Sequence, residues 1–263
     1  MADPNAALSA PEALVLMSLP RYDAAKVLKT GFMGLIAQGL LRLETEDKPG
    51  LLRTRHIPHL KVAASIPEDL SPIAASLVQV ARGAEPDGLM KNIVAQSRRE
   101  FGSRLLGFVQ DRVIPSLVGR GLAESRDKRL LGFIPTHVFV RTIAGETEKI
   151  RLENAMREAK TIPRYLDSDP VKVAALVLAA GSTIILIEEL RPFYDQLSRS
   201  LSPRDGAADG GNFGDSGTGF GNFDFGGVDF SSFDSGAFAS FDAGFADAGG
   251  DGGGGDGGGS SGC

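Results

Sequence analysis

The sequence predicts a mainly α-helical protein: a compact helical domain with two β-hairpins at its edges, followed by a disordered tail. Three observations support this prediction. Apolar residues recur at helical spacing through most of the first two hundred positions, a helix–glycine–hairpin pattern occurs twice, and the composition changes sharply after Arg204. We therefore place the helical domain at residues 8–204 and the tail at residues 205–263.

Local signals mark the first two helices. Ser9 and Glu12 form an S-x-x-E capping box ahead of the apolar run "ALVLMSL", which predicts a helix from about residue 10 that stops at Pro20. From Asp23 onward, apolar residues recur at helical spacing until Gly39, close to where the second helix should end.

Two further helices are predicted in the middle of the chain. Ser71 followed by Pro72 gives an N-cap with proline at the first helical position. After the turn "AEPDG", residues 89–114 are predicted to form a long, predominantly helical segment, which Pro115 bends or restarts.

Two stretches follow the same layout. "LIAQGLLRLETEDKPGLL" and "LVGRGLAESRDKRLLGFI" each have an apolar pair, a glycine at Gly39 or Gly121, a leucine, a charged turn and a Leu-Leu strand. Such a layout is typical of winged-helix modules, and equally of helical cores that carry hairpins on their edges, so the two copies leave both architectures open.

The last part of the helical domain differs in character. Residues 149–162 predict an amphipathic helix, and Asp169 with Pro170 predicts the cap of the next one. Residues 171–190 are apolar nearly all round, so we expect them at the centre of the domain. The uncharged part, residues 173–187, is shorter than the roughly 20 residues that a membrane span needs.

Charge and cysteine content indicate the setting. Residues 1–204 carry 28 Lys and Arg against 23 Asp and Glu, whereas the tail carries ten Asp and no Glu, Lys or Arg. The single cysteine, Cys263, excludes an intrachain disulfide, and the start of the chain does not resemble a secretion signal. We expect a cytoplasmic protein that is peripheral to a membrane.

The tail has few aliphatic residues but holds nine of the 15 phenylalanines together with 21 glycines. This composition predicts disorder, because too little apolar surface is available to offset the entropy of ordering the chain. Phenylalanine beside aspartate and glycine suits either weak multivalent association or a plain spacer, and both interpretations stay open.

Three blocks of this sequence resemble the Golgi-phosphoprotein-three-like family. They are "GLIAQGLLRLE", "NIVAQSRREFGSRLLGFVQDRVIPSLVGRGLAESRDKRLLGFIPTHVF" and "DSDPVKVAALVLAAGSTIILIEEL", and with their surroundings they cover about residues 8–200. The resemblance implies a mostly helical domain with edge hairpins that lies peripherally on membranes and acts as an adaptor rather than an enzyme. Bacterial relatives of this fold also have glycine-rich tails, and the tail of this chain is similar to theirs.

The family's lipid pocket implies specific residues that this chain lacks. Eukaryotic members bind phosphatidylinositol 4-phosphate through a tryptophan and three arginines, and the corresponding positions here are Leu19, Leu28, Gly107 and Gln110. Losing these donors removes specificity for that headgroup, because each charge-assisted hydrogen bond is worth roughly 1.5 to 3 kcal/mol. Three basic residues lie near these positions: Lys29, Arg104 and Arg112. They are either candidates for diffuse attraction to anionic lipid or ordinary solvated side chains.

The second hairpin is the other candidate contact. In the family the corresponding hairpin is an apolar projection, so we expect a surface for association or membrane contact at Leu130, Leu131, Phe133 and Ile134. Successive residues of a strand point to opposite faces, so half of this ribbon is also compatible with the core.

Signals of catalysis or metal binding are weak. His56, His59 and His137 have no cysteine partners and unsuitable spacing for zinc, and no nucleophile, base and orienting acid can be assembled. We therefore predict no catalytic residue, metal or cofactor.

The resulting hypothesis is a non-enzymatic adaptor. It would contact an anionic membrane surface or a protein partner, and copies of the chain could associate through the hairpin or the phenylalanine-rich tail. The alternative is a DNA-binding protein of tandem winged-helix-like modules, which residues 24–38 support poorly because they hold two lysines and no arginine.

Overall fold

The computed structural model describes residues 7–48, 55–130, 134–194 and 196–197. The first helices and strands are α1 (Ala10–Ser18), α2 (Ala24–Ala37), β1 (Leu41–Lys48), β2 (Arg55–Val62), α3 (Pro72–Gly83) and α4 (Met90–Phe101). After them come α5 (Leu106–Phe108), a π-helical turn (Val109–Val113), α6 (Ile114–Gly119), β3 (Ala123–Leu130) and β4 (Ile134–Arg141). The chain continues with α7 (Ile143–Ala159), a 3₁₀ turn (Ile162–Arg164), α8 (Pro170–Ala180) and two more 3₁₀ segments (Gly181–Leu186 and Glu188–Phe193). The described chain is thus mainly α with two hairpins, as predicted.

The predicted helix starts are confirmed by their caps. At α1 the Ser9 backbone N–H donates to Glu12 Oε2 at 2.8 Å, which is half of the expected capping box. At α2 the Asp23 carboxylate accepts from the backbone N–H groups of Ala25 and Lys26 at 2.9 and 3.1 Å. Because these side chains satisfy donors that have no partner within a helix, each fixes where its helix begins.

The repeated glycines end their helices in the same way. Gly39 and Gly121 have φ of 69° and 70°, a left-handed conformation in which a side chain would be strained. The next residue, Leu40 or Leu122, donates its N–H back to the carbonyl of Leu35 or Leu117 at 2.9 Å in both cases. This pair of Schellman motifs turns the chain into a hairpin each time.

Each hairpin forms its own two-stranded antiparallel sheet. In the first, pairing runs from Leu41 opposite Val62 to Lys48 opposite Arg55. In the second, it runs from Ala123 opposite Arg141 to Leu130 opposite Ile134. The charged stretches that were predicted as turns belong to strands instead: residues 46–48 continue β1, and residues 124–129 lie in β3. Residues 49–54 and 131–133 lie outside the described residues.

Residues 89–114 are predominantly helical, as predicted, but the segment is interrupted. Helix α4 ends at Phe101, and Leu105 has a left-handed backbone, with φ of 58°, before the chain becomes helical again. The buried rings of Phe101 and Phe108 pack with their centroids 5.2 Å apart across this interruption. The break therefore lets the segments on either side of it both keep their aromatic side chains in the core.

The last two helices also differ from the prediction. Helix α7 begins six residues earlier than residue 149, because the Thr142 side chain accepts a hydrogen bond from the backbone of Gly145 at 3.0 Å and caps it there. Residues 171–190 are not one central helix. Helix α8 ends at Ala180 and leaves Val171 79% and Leu178 55% exposed, so only one of its faces is buried.

Helices α1 and α2 lie at the centre instead. Helix α1 contacts α2, α6, α7 and the 3₁₀ segment Gly181–Leu186, and α2 in turn contacts α3 and α5. Fully buried side chains of these two helices are Leu16, Leu28, Phe32 and Ile36. Among the described helices, none combines the length and the hydropathy that crossing a bilayer requires.

Candidate functional site: a methionine-lined groove with a basic rim

An open groove of about 400 Å³ lies where α1, α2, α7 and the two 3₁₀ segments after α8 meet. Its side chains come from parts of the chain that are far apart in sequence. The apolar lining is Leu14 and Met17 of α1, Ala25 and Met33 of α2, Met156 of α7, and Ile185 and Leu186; the polar lining is Lys26, Lys29, Thr30, Glu188 and Arg191. We call this surface the methionine groove.

Three of the five methionines of the chain line this groove. Met33 is buried, whereas Met17 and Met156 are half-buried. Because methionine is unbranched and polarizable, such a lining adapts to ligands of different shape and makes favourable contacts with aromatic rings. The groove is therefore suited to apolar groups that need no exact fit.

The rim of the groove carries more positive than negative charge. Lys26 is exposed and Lys29 half-buried on the same side of α2, and across the groove Arg191 Nη2 lies 3.7 Å from Glu188 Oε1. Among the described lining residues three are cations and one is a carboxylate, and a lining of this composition attracts anionic ligands.

The neighbouring carboxylate of Glu189 is engaged outside the groove. Lys160 Nζ donates to Glu189 Oε1 at 2.5 Å, and this hydrogen bond is the main cause that holds the pKa of Glu189 below its ordinary value. Glu189 thus stays charged at neutral pH with its charge balanced by Lys160, and it adds little to the potential of the groove.

Arg141 holds one wall of the groove in place. Its Nη1 donates to the carbonyl oxygens of Leu16 at 3.0 Å and Leu19 at 2.7 Å, at the carboxyl end of α1, next to Met17. Its Nε donates to Glu146 Oε2 at 2.6 Å. A cation at this end of a helix satisfies carbonyls that have no partner within the helix and complements its dipole.

Glu146 keeps the Arg141 guanidinium oriented. Hydrogen bonds from Arg141, and then from Lys149 Nζ at 3.3 Å, lower the pKa of Glu146. This carboxylate is therefore charged at neutral pH and stays a hydrogen-bond acceptor for Arg141.

Glu12 does more than cap α1. Its Oε1 accepts from Ser116 Oγ at 2.6 Å and lies 3.5 Å from Arg120 Nη1, and the Glu12 and Arg120 side chains are only 7% and 6% exposed. This buried pair ties the start of the chain to α6, and removing one member of such a pair leaves a buried charge that is costly to desolvate.

Only one of the predicted lipid-binding residues lies at the methionine groove. Lys29 is on its rim, whereas Arg104 is exposed in the interruption after α4 and Arg112 is exposed on the π-helical turn, and neither is among the described residues that line the groove. The structure thus brings Lys29 together with Lys26 and Arg191 and not with the two predicted arginines.

The positions that correspond to the family's lipid pocket are not arranged for lipid binding. Leu19 is 4% and Leu28 0% exposed, so both side chains belong to the core. Gln110 is exposed and carries no charge. These positions offer no converging cations.

The predicted association surface lies at the tip of the second hairpin. Leu130 is the last residue of β3 and Ile134 the first of β4, where they pair in register. Leu131 and Phe133 lie outside the described residues, so the surface stays a prediction.

The groove lining contains no histidine or cysteine, and within the described ranges no cluster of His, Cys, Asp or Glu could hold a metal ion. His59, on β2, joins the hairpin to the turn before α4: its Nδ1 is hydrogen-bonded to the Asp87 carbonyl and its Nε2 is 3.1 Å from Glu46 Oε2.

The burial of α2 argues against its use as a recognition helix, which the winged-helix alternative requires. Eleven of the 14 residues of α2, the would-be recognition helix, are buried, so they cannot reach base edges in a DNA groove. The corresponding second helix runs without a gap from Leu106 through the π-helical turn to Gly119.

No protein-family model matches the chain, and no curated protein matches it significantly.

Proposed function

We propose that the protein is a non-enzymatic peripheral membrane adaptor with a Golgi-phosphoprotein-three-like domain, which binds anionic phospholipid weakly through the rim of the methionine groove. The observation that carries this proposal is that apolar side chains and the cations Lys26, Lys29 and Arg191 line the same groove. A phospholipid presents the matching pattern, an anionic phosphate next to apolar chains.

The electrostatics predict weak and unselective binding. Each basic side chain near an anionic surface contributes about 1 kcal/mol, and this attraction is screened by salt. Glu188 offsets part of it. Because the positions of the family's phosphate-binding arginines hold uncharged residues, discrimination among anionic headgroups is expected to be small.

The second contact of an adaptor would be a protein. For this contact we assign the hairpin residues Leu130, Leu131, Phe133 and Ile134 or the phenylalanine-rich tail, with either another protein or a second copy of the chain as the partner. Both interpretations follow from sequence composition and from the family resemblance.

Vesicle flotation of the full chain tests the membrane contact. The protein should float with vesicles of phosphatidylcholine and phosphatidylserine at low salt, but not with phosphatidylcholine alone. The double substitution Lys26→Gln and Lys29→Gln removes two charges of about 1 kcal/mol each and should weaken binding about thirty-fold. The matched control, Lys91→Gln with Arg99→Gln, removes two exposed cations of α4 and should leave flotation unchanged.

A second variant compares the groove with the arginines that the sequence indicates. If Arg104→Gln with Arg112→Gln abolishes flotation and the lysine variant does not, the contact surface lies around α5 and the methionine groove is not the lipid site. Flotation that is equal with and without acidic lipid would contradict the proposed function itself.

A further inference from the structure

We propose that the acidic, phenylalanine-rich tail of the same chain occupies the methionine groove, with phenylalanine rings against the methionines and aspartates against the basic rim. The segment that fits is residues 223–242. It holds four sites where Phe and Asp are adjacent, at residues 223–225, 229–230, 233–234 and 241–242. The docking itself is independent of lipid, whereas its consequence for membrane binding rests on the proposed function.

Charge complementarity is the first argument for this occupant. Residues 205–263 carry ten aspartates and not one Lys or Arg, while the groove presents Lys26, Lys29 and Arg191 against Glu188. A segment with one sign of charge is attracted by a rim of the opposite sign, and the attraction weakens with salt.

The chemistry of the lining is the second argument. Met17 and Met156 are half-buried in the groove lining, as are Leu14 and Leu186. A thioether sulfur near the edge of an aromatic ring is favourable, and methionine-lined surfaces accept different registers of an apolar segment. The phenylalanines of the tail are spaced irregularly. They therefore suit a surface that accepts several registers better than one that requires a single register.

Reach is the third argument. The described chain ends at the buried Leu197, six positions after the rim residue Arg191. Phe223 follows 26 positions later, and a glycine-rich chain of that length spans about 28 Å. Because the two partners share one chain, the effective concentration is on the order of millimolar, so even weak contacts keep the groove filled.

The consequence concerns regulation. A tail that covers Lys26 and Lys29 competes with anionic lipid for the same cations. The protein is then closed in dilute solution, and a membrane of high negative charge opens it by displacing the tail.

Paramagnetic NMR of the full chain tests the docking directly. The lone cysteine allows Cys263→Ser to be combined with Ser232→Cys, so that a nitroxide label sits within the Phe-Asp segment. In a sample with isotope-labelled methionine methyl groups, the nitroxide should broaden the methyl signals of Met17 and Met156 more strongly than the signal of Met90. Met90 is buried on α4 and does not line the groove, so it serves as the internal reference.

A charge reversal adds a matched pair of variants. Lys26 is the third residue of α2 and Lys91 the second of α4; both are exposed, and an acidic residue is favourable at either position because each lies in the first turn of a helix. Lys26→Glu should reduce the docking equilibrium about five-fold and restore the Met17 and Met156 signals. Lys91→Glu should leave the broadening unchanged.

The outcomes separate the two proposals. Three outcomes would overturn docking within one chain. They are equal broadening of all three methionine signals, no broadening, and broadening that appears only when nitroxide-labelled chains are mixed with separate isotope-labelled chains. Replacing all nine tail phenylalanines by serine should increase flotation with acidic vesicles. If the methionine signals broaden as expected but no variant floats, the docking stands and the proposed membrane function fails.

Discussion

At the scale of single residues, the side chains that shape the candidate site act over long distances along the chain. Arg141 hydrogen-bonds the carbonyl of Leu16, 125 positions earlier, and Glu12 accepts from Ser116, 104 positions later. The sequence predicted the local role of Glu12 in the cap of α1. It gave no sign of the second role, because no local pattern relates two side chains so far apart.

Arg141 provides a test at this scale. Arg141→Ala removes hydrogen bonds from a charged group to two helix-end carbonyls and to Glu146, so we expect the free energy of unfolding to fall by about 2 to 3 kcal/mol. Arg141→Lys should lose most of this stability as well, because an ammonium group does not reproduce the planar fork of donors. Urea denaturation followed by circular dichroism measures both.

The control for Arg141 is Arg126→Ala. Arg126 lies on β3 with its side chain 67% exposed and paired to Glu124, so its removal should change stability by less than about 0.5 kcal/mol. Equal losses in the two alanine variants would contradict the role of Arg141 at the end of α1.

At the scale of helices and strands, boundaries followed the sequence wherever a side chain or a glycine sets them locally. The caps at Ser9, Ser71 and Asp169 and the glycines that end α2 and α6 were predicted and are confirmed. The interruption after Phe101 was missed, since it serves the packing of two aromatic rings that only the folded chain brings together.

Helix α8 illustrates why hydropathy alone misleads. A segment that is apolar all round predicts burial on every side, yet Val171, Ala175 and Leu178 are exposed while Val173 and Val177 are buried. How much of an apolar helix is covered depends on the neighbours that the fold supplies, and α8 is covered on one side only.

Two valines of α8 give a matched test of this correction. Val177 is 1% exposed, so Val177→Ala should lower the free energy of unfolding by about 2 kcal/mol through lost burial and the cavity it leaves. Val171 is 79% exposed, so Val171→Ala should cost less than about 0.5 kcal/mol. Similar losses measured by thermal unfolding would restore the prediction of a fully central helix.

At the scale of the whole molecule, α1 joins the parts of the described chain. It contacts α2 before the first hairpin, α6 before the second, and α7 and the 3₁₀ segment Gly181–Leu186 after it. The buried Glu12–Arg120 pair and Arg141 add polar links from α1 to the same later elements. We therefore expect these elements to unfold together.

Unfolding measured with two probes tests this expectation. The chain has three tyrosines and no tryptophan, and Tyr194, near the end of the described chain, is 1% exposed. Tyrosine fluorescence and far-ultraviolet circular dichroism should report one coincident transition in urea. Two separate transitions would indicate two lobes with independent cores.

The sequence by itself determined the helix starts, the two glycine-ended helices with their hairpins, and the separation of a basic body from an acidic tail. These features depend on residues within a few positions of one another or on composition, so they can be predicted from the sequence alone. The tertiary structure decided which face of α8 is buried, where Arg141 binds, and that Met17, Met33 and Met156 line one groove beside Lys26, Lys29 and Arg191. Those arrangements result from packing between distant segments, and hydrophobic periodicity specifies that a face is apolar but not what will cover it.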